Sequence, residues 1–343
     1  MKNLILFLFS QIKVPMVMHN IFILFIFLSL SLSAQTTSAL ERPPYLQKGD
    51  TIAILGPSGV LKAYKKPYID KAKALAESWG LKVIYGKNLF SQDNHFAGTD
   101  AERCQDFQDA LDNPNIKAIW CGRGGYGSVR IIDMLDFSAF LKKPKWIIGY
   151  SDITVFHSHI HTLGIETMHA LMGSSLQDQA KDIPHTIETF RKALFGEPLV
   201  YKLPASKYHR KGEVNAPLVG GNLAILYAML GSPSQISTDN KILFIEDVGE
   251  YKYSIDRMLQ SLKRAGYFKN VKAVIVGGMS KIRKNTTPWG NSIEHLISNA
   301  IPKNIPILFN FPAGHDMDNR ALLLGREVKL TITDTGVSVV FKE

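Results

Sequence analysis

The sequence predicts an α/β fold, with an N-terminal, mostly parallel sheet with flanking helices and a smaller C-terminal α/β domain. Short apolar or β-branched runs alternate with stretches of helical spacing along most of the chain, a pattern typical of parallel sheets. The composition is that of a globular protein, since 45% of the 343 residues are hydrophobic and 20% are charged. A chain of this length accommodates about two domains.

Strand and helix patterns alternate through an N-terminal domain that we expect over residues 45–195. The run Thr51–Leu55 is typical of a buried strand, and Thr99 and Asp100 are capping candidates for a later helix. The predicted elements of this domain, in order, are 51–55, 68–80, 81–85, 99–112, 116–121, 128–135, 145–150 and a helix that begins at 152.

A linker is predicted over residues 196–211, where the pattern weakens around Pro198, Pro204 and the polar run 206–211. A second α/β domain is expected over 212–343. Its predicted helices and strands, in order, are 223–230, 242–245, 254–265, 271–276, 293–300, 307–311, 327–332 and 336–341.

The first 35 residues are predicted to be a secretory signal peptide rather than part of the fold. The apolar run 21–30 has the length of a signal core, and small residues follow it up to Ala34. An uncleaved membrane anchor is the alternative, although the run is short for a membrane span. We therefore expect an exported protein, periplasmic or extracellular, that contacts a membrane only through its leader before cleavage.

The charge and cysteine content exclude several classes of function. The formal net charge is +10, but no stripe of Arg and Lys interleaved with aromatic residues occurs, so nucleic acid is not an expected partner. The charge supports a mild attraction to anionic surfaces or substrates. Cys104 and Cys121 are too few for a disulfide framework and form no CxxC pair. No cofactor is expected.

A strand-to-helix elbow is predicted at residues 149–152, Gly-Tyr-Ser-Asp. Such a turn exposes a hydroxyl at the carboxyl edge of a sheet, and the N–H groups that follow can stabilise an oxyanion. Ser151 is therefore a candidate nucleophile, with the backbone of Asp152 as an oxyanion donor. The pattern departs from G-x-S-x-G, because Ile153 replaces the second glycine. The alternative is that Ser151 or Asp152 only caps the helix.

The glycine-rich segment 122–127 also lies between a predicted strand and a predicted helix. It could cradle a phosphate, but it lacks the Lys-Ser/Thr of a P-loop and the G-x-G-x-x-G spacing. Alternatively, the backbone of Gly124 or Gly125 supplies a second oxyanion donor, since glycine allows close approach. Arg123 could then pair with a substrate carboxylate.

Two further candidates follow predicted strands of the second domain. Glu246 could orient a catalytic histidine, with Asp247 and Glu250 as rivals and an acidic turn as the structural alternative. His315 is a general-base candidate because its pKa would lie near neutrality; the alternative is a solvated loop histidine.

Several other features favour structural interpretations. Only two of the alternating histidines 157, 159 and 161 would share a helix face, so a zinc site lacks a third ligand, and no metal is expected. Ser58 is a second serine at a strand end; it is expected to cap the first helix, and a role as nucleophile is the alternative. Asn222 is expected to be a helix cap, with pocket lining as a second option. Residues 316–318 lack the remaining positions of a calcium loop.

Taken together, these motifs resemble the LD-carboxypeptidase family of serine peptidases, which includes the microcin C immunity peptidases. The resemblance covers about residues 45–335 in the family's order, and its motifs lie at 49–59, 122–127, 148–152, 217–223, 245–250, 253–259 and 314–315. One departure is the segment 319–325, where the family has a proline before the last glycine.

The resemblance implies a triad of Ser151 as nucleophile, Glu246 as orienting acid and His315 as base. It also implies an oxyanion hole formed by backbone N–H groups of Asp152 and of Gly124 or Gly125, a metal-free site between two domains, and a homodimer. The implied reaction removes terminal D-Ala from murein tetrapeptides. Two alternatives stay open: cleavage of a peptide-nucleotide antibiotic, and a non-catalytic two-lobe protein that binds peptides or sugars.

Overall fold

The computed structural model describes residues 40–176 and 183–343 and confirms the predicted α/β class with two sheets. The predicted signal peptide, residues 1–35, lies outside the described residues. Within the described ranges, no helix is both long enough and apolar enough to cross a membrane.

The regular elements follow the chain in this order. The strands are β1 (Thr51–Leu55), β2 (Lys82–Tyr85), β3 (Ile116–Cys121), β4 (Trp146–Gly149), β5 (Thr167–His169), β6 (Val200–Leu203), β7 (Gly212–Asn222), β8 (Ile242–Val248), β9 (Ala273–Ser280), β10 (Ile307–Leu308), β11 (Leu322–Leu324), β12 (Glu327–Ile332) and β13 (Val337–Phe341). The α-helices are α1 (Lys66–Ser78), α2 (Asp100–Asp112), α3 (Ser128–Ile131), α4 (Ser138–Lys142), α5 (Thr154–Thr162), α6 (Ile183–Phe195), α7 (Leu223–Ala228), α8 (Lys252–Arg264) and α9 (Ile293–Ala300).

The strands form two sheets. The first has six strands in the order β11-β5-β4-β3-β1-β2, all parallel except β11, which pairs antiparallel with β5. The second has seven strands in the order β10-β9-β8-β7-β12-β13-β6. Its first four strands are parallel and the others are antiparallel, so the second domain is mixed.

Local sequence explains the clearest elements. Strand β4 is buried along its whole length, as expected for a central strand covered by helices on both faces. Helix α2 begins at a capping box, in which Thr99 accepts from the N–H of Glu102 and the Glu102 carboxylate accepts from the N–H of Thr99. Helix α8 buries Ile255, Leu259 and Leu262, whose spacing places them on one face.

The chain crosses between the two sheets more than the sequence indicates. Strand β6 lies inside the predicted linker, 196–211, and forms an edge of the second sheet. Strand β11 comes from the predicted second domain, 212–343, but it pairs in the first sheet. The three-residue run of β11 carries no alternation that would reveal this pairing. The domain boundaries read from the sequence stay predictions.

One hydrophobic cluster joins the two sheets. It contains Trp120 and Ile148 from β3 and β4 together with Phe244 and Ile275 from β8 and β9, all of them fully buried. Because protein interiors are close-packed, a shared core fixes the distance between two sheets far better than a linker does.

A buried ion pair also joins sequence-distant parts of this core. Arg326, just before β12, donates through Nε and Nη2 to the carboxylate of Glu166, just before β5, at 2.7–3.1 Å. The exposed fractions of the two side chains are 7% and 5%. A third guanidinium nitrogen donates to the hydroxyl of Tyr45 and the carbonyl of Lys342.

Replacing Glu166 with Ala leaves the Arg326 guanidinium buried without its counter-charge. We expect the free energy of unfolding, measured by urea denaturation, to fall by about 3–5 kcal/mol. The exposed pair of Lys211 and Asp334 is the control, because Asp334→Ala should change stability by less than about 1 kcal/mol. Equal effects of the two substitutions would contradict this role for Glu166.

Candidate active site

Ser151 lies in a strained turn at the carboxyl end of β4, where its backbone φ is 64°. A residue other than glycine keeps such a conformation only where the surrounding structure imposes it. A 3-10 turn, Ser151–Ile153, follows at once and leads into α5. Gly149 makes room for it, because a Cβ there would lie 2.8 Å from the Ile153 side chain. No side chain caps this turn; Ser151 instead lines a cavity.

His315 lies between Ser151 and Glu246. Its Nε2 is 3.0 Å from the Ser151 Oγ, and its Nδ1 is 2.6 Å from the Glu246 Oε2. Glu246 is fully buried, so its carboxylate favours a proton on Nδ1, and Nε2 is left to accept from the serine hydroxyl. The three side chains, which are far apart in sequence, form one hydrogen-bonded line.

Two opposing effects set the pKa of His315. Burial of the ring lowers the pKa, whereas the hydrogen bond and negative charge of Glu246 raise it, and the net result is a pKa above the ordinary histidine value. Asp247 and Asp316 add to the rise through their charges. The ring therefore accepts a proton more readily than a solvated histidine does.

Asn222 holds the Glu246 carboxylate through a hydrogen bond to the oxygen that His315 does not contact. Its Nδ2 donates to the Glu246 Oε1 and to the Asp247 Oδ1, each at 3.2 Å. Its Oδ1 caps α7 by accepting from the N–H of Ile225. Its own N–H donates to the Thr154 Oγ1 at 3.0 Å, which connects the acid to the helix after the nucleophile turn. Asn222 is thus a helix cap and does not line the cavity.

Asp247 faces away from the histidine. Its Oδ2 accepts from the N–H of Ala224 at the start of α7, and its Oδ1 accepts from its neighbour Val248. Burial, reinforced by the adjacent charge of Glu246, raises the pKa of Asp247 to about 7. The β8–β9 register shifts between Ile245 and Asp247, next to these two carboxylates.

The glycine-rich segment 122–127 lies directly against the turn that carries Ser151. A Cβ on Gly124 would lie 3.3 Å from the Ser151 Oγ and 3.4 Å from the backbone nitrogen of Asp152. Gly125, with φ of 110°, also lines the cavity. The Asp152 carboxylate accepts from the N–H of Ser128 at 2.8 Å, which holds the glycine segment and the turn together.

The loop that carries His315 is fixed at both ends. Asn319 Oδ1 accepts from the N–H of Gly314 at 2.9 Å, and the N–H of Asn319 donates to the Thr186 Oγ1 of α6 at 2.8 Å. A Cβ on Gly314 would lie 2.8 Å from the Glu246 Oε2, so only glycine fits there. The Tyr150 ring packs edge-on against the imidazole of His315, with centroids 5.0 Å apart.

A cavity of about 510 Å³ opens at this line of side chains. Ser151, His315, Gly124 and Gly125 all lie in its wall. Arg123 also lines it and donates through Nη1 to the carbonyl of Val60, which anchors the guanidinium.

The other sequence candidates lie elsewhere or have other partners. Ser58 is buried and shares a hydrogen bond of 2.8 Å with Ser128, rather than capping α1. Glu250 does not line the cavity. Asp316 accepts from Ser280, and Asp318 pairs with Arg320, so neither carboxylate is free for calcium.

The histidines of α5 are structural. His157 donates from Nε2 to the Gly149 carbonyl, and burial lowers its pKa to about 4. Burial lowers the pKa of His161 to about 3. No cluster of three metal-binding side chains occurs in residues 40–176 and 183–343.

Sequence reasoning missed several residues that line the cavity. Tyr150, Thr186 and Asn319 hold the histidine loop, while Lys65 and Lys281 add positive charge to the wall. Lys281 directly follows β9, so its position at a strand's carboxyl end was a usable signal. Thr186 offers no such signal, since its contact with residues 317–319 is set only by tertiary packing.

Two family domains match the chain. Residues 52–170 match the LD-carboxypeptidase N-terminal domain, and residues 215–330 match the LD-carboxypeptidase C-terminal domain. The first match contains Ser151 and the second contains Glu246 and His315, so the hydrogen-bonded line joins the two.

Known proteins resemble the chain over most of its length. The "probable murein peptide carboxypeptidase" of Bacillus subtilis is 34% identical over 87% of this chain and 95% of its own. The microcin C7 self-immunity protein of Escherichia coli is 27% identical over 86% of this chain and 94% of its own. The crystal structure of muramoyltetrapeptide carboxypeptidase from Oxalobacter formigenes superposes with a TM-score of 0.75 at 26% identity. The match covers 85% of this chain and 99% of that one. These matches confirm the resemblance carried by the motifs: the chain belongs to the LD-carboxypeptidase family and is a hydrolase of the carboxypeptidase type.

Proposed function

We propose that this protein is an exported serine carboxypeptidase that removes the terminal D-Ala from murein tetrapeptides. The observation that carries the proposal is the hydrogen-bonded line from Ser151 through His315 to the buried Glu246. Serine alone is a weak nucleophile, and this arrangement activates it in serine hydrolases of unrelated folds. The names of the relatives supply the substrate class.

The first half of the reaction forms an acyl-enzyme. Ser151 Oγ attacks the carbonyl carbon of the amide between the L-centre of the diamino acid and D-Ala, and its proton passes to the His315 Nε2. The C–N bond then breaks, His315 returns that proton to the leaving nitrogen, and D-Ala departs. Glu246 stabilises the imidazolium that exists between these two proton transfers.

The tetrahedral intermediate needs hydrogen-bond donors for its oxyanion. The backbone N–H of Asp152 and that of Gly124 or Gly125 serve this role in the proposal. It is supported by the closeness of the glycine segment to the Ser151 Oγ and to the Asp152 nitrogen. Donors that are fixed before the reaction are worth several kcal/mol, because they require no reorganisation.

Hydrolysis of the acyl-enzyme reverses the roles. A water molecule gives one proton to the His315 Nε2 and attacks the acyl carbon, and the bond to the Ser151 Oγ breaks as that oxygen recovers the proton. The products are the shortened peptide, with a new carboxylate, and free enzyme. Every proton is accounted for by the serine, the histidine and water, so the cycle requires no metal.

A carboxypeptidase must recognise the terminal carboxylate of its substrate. We assign this role to Arg123, which lies within the glycine-rich segment 122–127 and lines the same cavity as Ser151. Because the Val60 carbonyl engages one of its nitrogens, the guanidinium is held in place before substrate binds. Asn222, the other residue considered for substrate binding, acts in this proposal through Glu246.

Cleavage of a peptide-nucleotide antibiotic is a second candidate. It is favoured by the similarity to the microcin C7 self-immunity protein, one structure of which is described as a complex with glutamyl sulfamoyl guanosine. The same chemistry at Ser151 would serve both reactions, so only the substrate distinguishes them.

Incubating the protein with purified disaccharide-tetrapeptide tests the proposal by mass spectrometry. We expect a mass loss of one D-Ala, and a decrease in rate of at least about 10³-fold in Ser151→Ala and His315→Ala. Activity that survives both substitutions would exclude this mechanism. Glutamyl sulfamoyl guanosine is the parallel substrate, and its cleavage alone would favour the second candidate.

A fluorophosphonate probe separates the enzyme from a non-catalytic binding protein. Labelling should disappear in Ser151→Ala and persist in Ser58→Ala, since Ser58 is buried away from the cavity. Tight peptide binding without any labelling would instead favour the binding protein.

The acid limb of the pH profile should reflect His315. The imidazole must be neutral to act as a base, so activity is present above its raised pKa and is lost as pH falls through that value. In Glu246→Gln the negative charge is lost, the pKa of His315 falls, and the acid limb of kcat/KM moves to lower pH. We also expect kcat to fall by roughly 10²- to 10⁴-fold. An unshifted limb would show that another group controls it.

Export and dimer formation are part of the proposal. Export is supported by the apolar run 21–30 and the small residues up to Ala34. N-terminal sequencing of the secreted protein should begin close to residues 34–36. A protein retained in the cytoplasm with residues 1–33 intact would contradict export.

Sedimentation of the mature chain should give the mass of a homodimer.

A further inference from the structure

Three cationic side chains line the cavity without a carboxylate partner among the described residues. Arg123 donates to the Val60 carbonyl. Lys65 contacts only the rings of Tyr64 and Tyr68, at 5.7 and 5.2 Å. The Lys281 side chain makes no hydrogen bond or ion pair within the part of the chain that the structure describes.

Little negative charge offsets these cations in the cavity wall. Some other lysines of the surface do pair with carboxylates, as Lys66 does with Asp70 and Lys342 with Glu327. Among the described cavity-lining residues, Asp316 is the only carboxylate, and Ser280 already donates to it at 2.6 Å. A cleft lined by one sign of charge concentrates ligands of the opposite sign.

The backbone at Lys281 points to the same conclusion. Its φ is 51°, in the left-handed region, directly after the last residue of β9. Strained residues of this kind cluster at ligand sites, because the conformation must be imposed by the surrounding structure. Lys65 approaches the cavity from the 3-10 turn Ala63–Lys65, just before α1. The two lysines therefore reach the cavity from separate parts of the fold.

We infer that Lys65 and Lys281 bind a second carboxylate of the substrate, separate from the terminal carboxylate assigned to Arg123. This inference rests on the proposed murein peptidase function. A planar guanidinium beside the nucleophile suits the terminal carboxylate in a fixed geometry, whereas flexible ammonium groups suit a carboxylate on a side chain. The enzyme should thus prefer a diaminopimelate whose side-chain carboxylate is free over an amidated diaminopimelate or a lysine.

Three tetrapeptides that differ only in the diamino acid test this preference. We expect wild-type kcat/KM to be about tenfold higher for free diaminopimelate than for its amide or for lysine. Lys281→Gln and Lys65→Gln should each remove most of that preference by lowering kcat/KM for the free acid, with little effect on the amide. Lys87→Gln is the matched control, since Lys87 is exposed and does not line the cavity.

The outcomes separate the inference from the function on which it rests. Equal wild-type rates on all three peptides would overturn the carboxylate site while leaving the peptidase intact. A loss in Lys87→Gln as large as in Lys281→Gln would also overturn it, because a general field would then be responsible. If no peptide loses D-Ala while fluorophosphonate still labels Ser151, the murein function itself is wrong.

Discussion

The contact of one imidazole with two partners on different sheets is the constraint on which the structure depends. His315 Nε2 lies 3.0 Å from the Oγ of Ser151, in the turn that follows β4 of the first sheet, and its Nδ1 lies 2.6 Å from the Oε2 of Glu246, in β8 of the second. Hydrogen bonds require donor–acceptor distances of about 2.5–3.2 Å and weaken steeply when they bend. The two sheets must therefore be held to that tolerance before any substrate binds.

Several contacts between the sheets supply this precision. The N–H of Asn222 donates to Thr154, immediately after the nucleophile turn, and the amide of Asn222 reaches Glu246. A closed series of hydrogen bonds therefore runs from Ser151 through His315, Glu246 and Asn222 to Thr154, in the helix that follows Ser151. The pairing of β11 with β5 and the buried ion pair of Glu166 and Arg326 also connect segments of the two family domains.

The sequence predicted the strands, the helices and the three hydrogen-bonded residues, but it did not predict the contacts that hold those residues in place. Ser151, Glu246 and His315 lie at or just after strands with strong apolar patterns, and such positions converge at the edge of parallel sheets. No sequence pattern indicates the hydrogen bond from the N–H of Ser128 to Asp152 or the one from the N–H of Asn319, in the histidine loop, to Thr186. They depend on where separate elements come to rest, which local periodicity does not encode.

The negative and positive charges of the site lie in different places, so they do not neutralise one another. The negative charge of Glu246 is buried behind the histidine. Burial raises the pKa of Asp247 and the charge of Glu246 adds to that rise, whereas at His315 burial lowers the pKa and the hydrogen bond and charge of Glu246 act against it, so that the net pKa is raised. The positive charges of Lys65, Arg123 and Lys281 lie on the substrate side of the same residues, in the cavity wall. Had those cations paired with the buried acids, the base would be weaker and the cavity would lose its attraction for carboxylates. In the proposed mechanism, the histidine therefore separates the acid that orients it from the cations assigned to substrate recognition.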